Sequence, residues 1–366
     1  MTISTIISVI EKIAPLSLQE DYDNAGLIVG DSNAFCTGAL LSLDTTEAVV
    51  DEALENGCNL IIAHHPIIFK GLKKITGSNY VEKTIIKAIQ NNIAIYACHT
   101  NIDNVLNGVN GMIADKLALT NRMIMEPKEL LLRKLSVYVP ASHSQQLLDA
   151  LFLSGAGDIG NYSECSFITE GVGSFRPGAD ANPQSGQIGV REVAAEQKIE
   201  VVFPKWKQHL ILKAMRENHP YEEVAHEILL LQNSYQEIGA GLIGELEHPM
   251  EESQFFNHVS SVFGLSVVKH TRFLGKKVKK VAVCGGSGSF LTSKAIQHQA
   301  DVFLTSDIKY HEFFDANDKI LLMDIGHFES EQYTIELFHK VLQQNFPNFA
   351  LLKSKVNTNP VHYFIP

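Results

Sequence analysis

Two stretches of the chain, about 38–120 and 278–345, alternate short apolar runs with amphipathic segments. In the first stretch the apolar runs are GALLSLD, CNLIIA and IAIYA, and the segments between them have helical periodicity. In the second stretch the apolar runs are VKKVAVCG, ADVFLT and KILLMDI, and a helical pattern, QYTIELFHKVLQQ, follows the last. Continuous apolar strands joined by helices are typical of parallel sheets that are covered on both faces. The pattern therefore predicts an α/β fold with mostly parallel sheets.

Polar residues follow the strands at matching places in the two stretches. His64 and His65 match Ser306 and Asp307, and His99 and Asp103 match His327 and Glu331. Matching turns in two βαβ units favour a duplicated core over coincidence. In open parallel sheets, ligands bind outside the carboxyl ends of the strands, and all four turns lie there.

The segment between the two stretches has a different pattern. Over about 127–238 the sequence predicts strand–helix–strand–strand–helix–strand, with the period-two alternation of a small antiparallel sheet. Its centre, GVGSFRPGADANPQSGQIG, is predicted to be a loop because it is rich in Gly, Pro, Asn and Ser. We interpret this segment as an inserted ferredoxin-like α+β domain. The predicted division is 1–126 for the first half of the core, 127–238 for the insertion and 239–366 for the second half.

Composition narrows the class of protein. A chain of 366 residues exceeds one typical core, which agrees with more than one domain. The net charge of −11, without a sizeable basic patch, makes a nucleic-acid partner unlikely. No apolar run reaches membrane-spanning length, and the N-terminus lacks the features of a signal peptide. We expect a cytoplasmic protein.

The HHP turn suggests metal chemistry. Successive strand residues point to opposite faces, so His64 and His65 cannot serve one core contact, but at a strand end both can reach the space above the sheet. Imidazoles with nearby carboxylates are ligands for Zn, Mn, Fe, Co or Ni. His327 and Glu331 are four residues apart, which places them on one face of a helical turn. Two diverging histidines suit two ions better than one.

Three neighbouring features keep a plainer interpretation open. His99 either lines the site or binds metal, and Asp44, which ends a strand before Thr45 and Thr46, fits a simple helix cap. The GGSGS turn (285–289) has the form of a phosphate-binding turn, but glycine-rich turns without ligands are more common.

Several stretches together resemble the Nif-three-like dinuclear-metal proteins, whose bacterial members are labelled GTP cyclohydrolase I type 2 homologues. The stretches are HHPIIF (64–69), HTNID (99–103), TSDIKYH (305–311), DIGHFESE (324–331), DYDNAGLIVGD (21–31) and VAVCGGSGS (281–289). The resemblance covers about 1–125 and 238–366. One departure is Ser306, where the family often has glycine.

The resemblance implies a set of metal ligands, an assembly and an insertion. The ligands fall on His64, His65, Asp103, His327 and Glu331, and they would hold two divalent ions per chain. The implied assembly is a toroidal homohexamer. The implied insertion is similar to the PII and copper-tolerance (CutA) folds, and ENHPYEEVAHEI (217–228) resembles its signature.

The family label implies a metal-dependent hydrolase in which activated water attacks C8 of GTP. His99 and His311 are the candidates for proton transfer, and the GGSGS turn is a candidate for holding a phosphate. Two alternatives stay open: a nucleotide phosphoesterase, and a non-catalytic metal-binding scaffold or regulatory protein.

Overall fold

The computed structural model describes residues 1–364, and the chain divides into two compact units. One unit is Met1–Pro127 together with the chain from Gln236 onward, and the other is Lys128–Tyr235. Among residues 1–364, no helix combines the length and apolar character needed to cross a membrane.

The strands, in chain order, are β1 (Gly26–Val29), β2 (Ala39–Ser42), β3 (Leu60–Ala63), β4 (Ala94–Ala97), β5 (Thr120–Lys128), β6 (Leu132–Pro140), β7 (Ser166–Phe175), β8 (Glu192–Pro204), β9 (His226–Leu230), β10 (Tyr235–Glu251), β11 (Lys269–His270), β12 (Lys277–Ser287), β13 (Val302–Ser306), β14 (Leu321–Asp324) and β15 (Leu351–Lys353). The α-helices are α1 (Ile3–Ile13), α2 (Glu47–Glu55), α3 (Tyr80–Gln90), α4 (Thr100–Asp103), α5 (Val109–Lys116), α6 (Ser144–Leu153), α7 (Gln208–Asn218), α8 (Glu252–Phe263), α9 (Thr292–Gln297), α10 (His327–Glu331) and α11 (Thr334–Asn345). Short 3-10 helices cover Leu16–Leu18, Ala141–His143, Lys205–Lys207, Ser289–Leu291 and Tyr310–Ala316.

The first sheet has the strand order β1-β4-β3-β2-β15. Strands β4, β3, β2 and β15 run parallel, and β1 is antiparallel to β4. Every residue of β2, β3 and β4 is buried, which explains their continuous apolar sequences. Helices α2 and α3 cover one face, where Val49 and Ile85 pack against Leu40, Ile61 and Ile95. Because β3 and β4 are parallel neighbours, the turns that follow them lie side by side.

The second sheet has the strand order β11-β14-β13-β12-β10-β5. Its centre, β12, β13 and β14, is parallel, while β10 and β11 pair antiparallel with their neighbours. The turns after β13 and β14 therefore lie at one edge, as the turns after β3 and β4 do in the first sheet. The prediction of a mixed α/β fold with several sheets is confirmed.

The two sheets share one apolar core. Buried side chains from both sheets and from α1, α5, α8 and α11 belong to a single cluster, among them Ile6, Leu41, Ile62, Tyr96, Ile113, Phe255, Val283, Leu304, Met323 and Phe338. Burial of this size supplies the main driving force for folding. The shared core fixes the site-bearing turns of one sheet relative to those of the other.

The Lys128–Tyr235 unit contains a four-stranded antiparallel sheet in the order β7-β8-β6-β9. Helices α6 and α7 share an apolar cluster with it, including Leu147, Leu151, Ile211, Met215, Leu135, Val137 and Ile199. One local prediction is wrong, because β7 continues to Phe175, inside the stretch 171–189 predicted as loop. Residues 171–175 pair in register with β8, from Gly171 opposite Glu196 to Phe175 opposite Glu192. This pairing compensates for the weak strand preference of glycine.

Candidate metal centre

His64 and His65 stand where β3 leaves the first sheet. Their backbone N–H groups donate to Leu43, which holds the turn against the end of β2. The ring of His64 is fully buried, and its Nδ1 lies 2.9 Å from the carbonyl oxygen of Cys98. Nδ1 of His65 lies 2.8 Å from Oδ1 of Asp44. Carbonyl and carboxylate oxygens only accept, so each Nδ1 carries the proton and each Nε2 is free to act as a ligand.

Asp103 ends α4, the single helical turn that follows β4. Its Oδ1 lies 3.7 Å from Nε2 of His64. Within residues 1–364 both atoms are buried and have no hydrogen-bond partner. Buried polar atoms are rarely left unpaired, because that forfeits their hydration without compensation. An ion that takes both as ligands would account for the pair, since each ligand atom sits about 2 Å from such an ion.

His327 and Glu331 come from α10, the short helix that follows β14. Nδ1 of His327 lies 2.6 Å from Oδ2 of Asp307, which follows β13. Glu331 is 3% exposed. Gly286 lies beside the carboxylate of Glu331, and a Cβ atom at this position would come within 2.3 Å of Oε1. The site therefore depends on a position without a side chain in β12.

The five predicted ligands converge, and the two oxygens of Glu331 face different partners. Oε2 lies 2.9 Å from Nε2 of His65 and 3.1 Å from Nε2 of His327. Oε1 lies 3.6 Å from Nε2 of His64, the imidazole that neighbours Asp103. The two nitrogens of His65 and His327 are themselves 3.3 Å apart. The cluster thus has a His64–Asp103 side and a His65–His327 side, with Glu331 between them.

The surroundings favour protonation of two of these imidazoles when no ion is bound. Burial by itself lowers the pKa of His65, but hydrogen bonds with Asp44 and Glu331 outweigh it and raise that pKa to about 9. Burial is likewise outweighed at His327, where hydrogen bonds with Asp307 and Glu331 raise the pKa to about 11. In the protonated rings Nε2 carries the second proton, at the position where a metal ion would bind. Metal binding must therefore release these protons.

The two carboxylates shift in opposite directions. Burial, and then the charge of Glu331, raises the pKa of Asp103 to about 8. Burial also acts to raise the pKa of Glu331, but the neighbouring His64 and the hydrogen bond from His327 hold it well below its ordinary value. The donor set, three imidazole nitrogens and two carboxylates without a thiolate, fits a divalent transition metal. His65, His327 and Glu331 are close enough to hold an ion together.

His99 lies at the same edge and forms a second group with His64 and His65. One ligand atom from each of the three lies within 4.8 Å of the others. Nδ1 of His99 is 2.8 Å from Oδ1 of Asp23, whose side chain is fully buried. Burial opposes ionisation of Asp23, yet hydrogen bonds from His99 and Thr100 lower its pKa to about 2. A charged carboxylate therefore fixes the orientation of the His99 ring.

Among residues 1–364, no hydrogen bond, ion pair or ring contact joins His311 to this cluster. His311 is exposed on the 3-10 helix after β13, with its ring stacked at 6.4 Å from Phe314.

Two backbone N–H groups of the GGSGS turn donate hydrogen bonds within the protein. The N–H of Gly285 donates to Asn110, and the N–H of Gly286 donates to Ser330. The turn thus supports the site by holding α5 and α10 in place.

Three carboxylates at the site were not singled out from sequence as partners of the ligands. Asp44 was open to interpretation as a helix cap, but the cap of α2 is Thr46, which accepts from Val49. Asp23 and Asp307 orient His99 and His327 across gaps of 76 and 20 residues. The one available signal was an acidic residue beside the end of a strand, which Asp44 and Asp307 both provide.

Comparison with known proteins gives consistent similarities. The model of the Duf34/NIF3 (NGG1p interacting factor 3) family matches residues 1–360. A Halalkalibacterium halodurans protein named GTP cyclohydrolase 1 type 2 homolog is 37% identical over 361 residues, covering 97% of each chain. A Bacillus subtilis protein of the same name is 36% identical, covering 97% of this chain and 96% of its own. The crystal structure of a Bacillus cereus protein related to NIF3 superposes with a TM-score of 0.88 at 37% identity, covering 100% of this chain and 99% of the other.

Proposed function

The chain belongs to the Duf34/NIF3 (NGG1p interacting factor 3) family, and from that premise we propose that it is a metal-dependent hydrolase with two divalent ions per chain and GTP as its substrate. The observation that carries the proposal is the position of Glu331, whose two oxygens face the two sides of the ligand cluster.

The ligands would divide between two ions along those two sides. His64, Asp103 and Oε1 of Glu331 would hold one ion, and His65, His327 and Oε2 of Glu331 would hold the other. A single bridging carboxylate fits the diverging histidines, because Nε2 of His64 and Nε2 of His65 approach different oxygens of Glu331. The nitrogen and oxygen ligands fit Zn, Mn, Fe, Co and Ni alike.

A bound pair of ions would activate water and neutralise charge on the group under attack. Five protein ligands shared between two ions leave positions open for water and substrate, as a catalytic site requires. The proposed reaction is hydrolytic opening of the imidazole ring of GTP, with C8 lost as formate. We propose His99 as the residue that moves a proton, and the support is that Asp23 orients its ring beside His64 and His65. His311 stays in the proposal as an exposed candidate.

The remaining proposals concern the insertion and the assembly. We propose that the Lys128–Tyr235 unit is an inserted ferredoxin-like domain of the PII/CutA kind. The order β7-β8-β6-β9 with two helices supports this assignment. We also propose a toroidal homohexamer, on the resemblance of the sequence motifs alone; sedimentation of the purified protein tests it.

The test of the function is turnover of GTP by the metal-loaded protein, following formate, pterin precursors and phosphate together. Chelated protein and Glu331→Ala are the inactive controls. Formate that disappears in both controls supports the cyclohydrolase. Release of phosphate without formate would instead support a nucleotide phosphoesterase. No turnover by protein that binds two ions would support a non-catalytic metal-binding scaffold.

A further inference from the structure

An exposed aromatic ring stands beside the ligand cluster. Phe69 lies in the turn that begins with His64 and His65, and 52% of its surface is exposed. Its ring lies 5.6 Å from that of His99, nearly perpendicular to it at 83°. The side-chain amide of Asn24 donates to the carbonyl of Ile68 at 2.7 Å, which ties this turn to the loop that carries Asp23. Phe69 is thus held at the site with much of its ring open to solvent.

His99 offers a polar edge next to that ring. Oδ2 of Asp23 accepts from the backbone and the hydroxyl of Thr100, while Oδ1 accepts from Nδ1 of His99. Nδ1 must be the donor in this bond, so in the neutral ring Nε2 is an acceptor. Among the described residues no hydrogen bond reaches Nε2 of His99.

We propose that Phe69 and His99 form a subsite for a flat, nitrogen-containing ring, that is, for the base of a purine nucleotide. The proposal rests on the proposed function and names the residues that hold the base. An apolar chain has little to gain here, since it would leave the polar edge of the neighbouring His99 without a hydrogen bond. A heteroaromatic base meets both features: its face stacks on Phe69, and its polar edge forms a hydrogen bond with Nε2 of His99.

The test is equilibrium binding of guanosine, which has the base but no phosphate, to the full-length protein with its metal content measured. Phe69→Leu keeps an apolar side chain and removes the aromatic face. The matched control is Phe35→Leu, at a ring that is 68% exposed between β1 and β2. We expect Phe69→Leu to weaken guanosine binding about tenfold or more, and Phe35→Leu to leave it unchanged. Binding of guanosine to Phe69→Leu within twofold of the unmodified protein overturns the stacking role.

His99→Ala tests the polar half of the subsite separately. We expect this variant to keep its metal content while its affinity for guanosine falls. Loss of metal from His99→Ala would make His99 a metal ligand and overturn its role at the base.

Kinetics separate failure of the subsite from failure of the proposed function. Guanosine binding that depends on Phe69, without formate from GTP, leaves the subsite standing and removes the proposed reaction. Formate production with the same KM for GTP in Phe69→Leu keeps the reaction and removes the subsite. If both hold, Phe69→Leu raises KM more than it lowers kcat.

Discussion

Each proposed histidine ligand is oriented by a hydrogen bond from its other ring nitrogen. His64 uses the carbonyl of Cys98, and His65 and His327 use Asp44 and Asp307. These contacts fix the tautomer, so that Nε2 faces the cluster with its lone pair. The orienting residues should therefore matter for metal affinity although they touch no ion.

Asp44 gives the sharpest test of that argument. Asp44→Asn keeps the size of the side chain but removes the charge that holds Nδ1–H of His65. We expect metal affinity to fall about ten- to a hundredfold, as measured by competition with a chromophoric chelator. Asp180→Asn, at an exposed aspartate of the other unit, is the control and should bind metal normally. Equal affinities for the two variants would show that Asp44 does not orient a ligand.

Glu82, which is not one of the proposed ligands, should make stability depend on pH. Hydrogen bonds from Ser78 and Thr76 lower the pKa of this carboxylate to about 2, from an ordinary value of 4.5. Its stabilising effect is therefore complete above pH 4.5 and is lost as the pH falls toward 2. In urea unfolding of metal-free protein, Glu82→Gln should be less stable at pH 7, and the difference should shrink below pH 4.5. Glu55→Gln, at an exposed glutamate, is the control and should show no such trend. If the stability difference between Glu82→Gln and the unmodified protein stays constant down to pH 2.5, the lowered pKa of Glu82 is refuted.

The proposed ligands lie on short elements at the ends of strands, and the position of one ligand, Glu331, depends on a glycine. Gly286 near the end of β12 has φ +62°, and a Cβ there would lie 2.3 Å from Oε1 of Glu331. Gly275 has a similar φ of +70°, with no atom within 4 Å of the added Cβ. Both alanine variants meet the same left-handed backbone, which costs about 1–2 kcal/mol.

Only Gly286→Ala should disturb the metal centre, because only its methyl group displaces Glu331. We expect both variants to lose similar stability in thermal unfolding, while metal affinity falls in Gly286→Ala alone. Unchanged metal affinity in Gly286→Ala would mean that Glu331 can move without loss of binding, contrary to its bridging position.

At the scale of the elements, most of the buried strands and the turns that hold the site could be predicted from the sequence. The apolar runs at β2, β3, β4, β13 and β14 were visible because these strands are buried on both faces. The neighbouring turns followed from parallel pairing. The pairing of Asp23 with His99 did not follow, because a contact across 76 residues depends on how β1 and its preceding loop return to β4. The extension of β7 to Phe175 was missed because its stability comes from register with β8 and not from its own residues.

At the scale of the whole molecule, the predicted ligands come from the first and last thirds of the chain, and a separate unit lies between them in sequence. Strands β5 and β10, which flank Lys128–Tyr235, are neighbours in the second sheet. We therefore expect that removing 128–235 and joining the ends through a short Gly-Ser turn leaves a folded core that binds metal as the full chain does. Circular dichroism and metal analysis check this, and an insoluble or metal-free product would show that the core needs the unit.

The central claim, that five side chains hold two ions, is tested most directly by the metal content per chain of the purified protein and of Glu331→Ala. His248→Ala, at an exposed histidine outside the cluster, controls for the loss of a surface ligand. The account predicts about two ions in the unmodified protein and in His248→Ala, with both lost from Glu331→Ala because both sides of the cluster share that carboxylate. No metal in the unmodified protein, or an ion kept by Glu331→Ala, would contradict it.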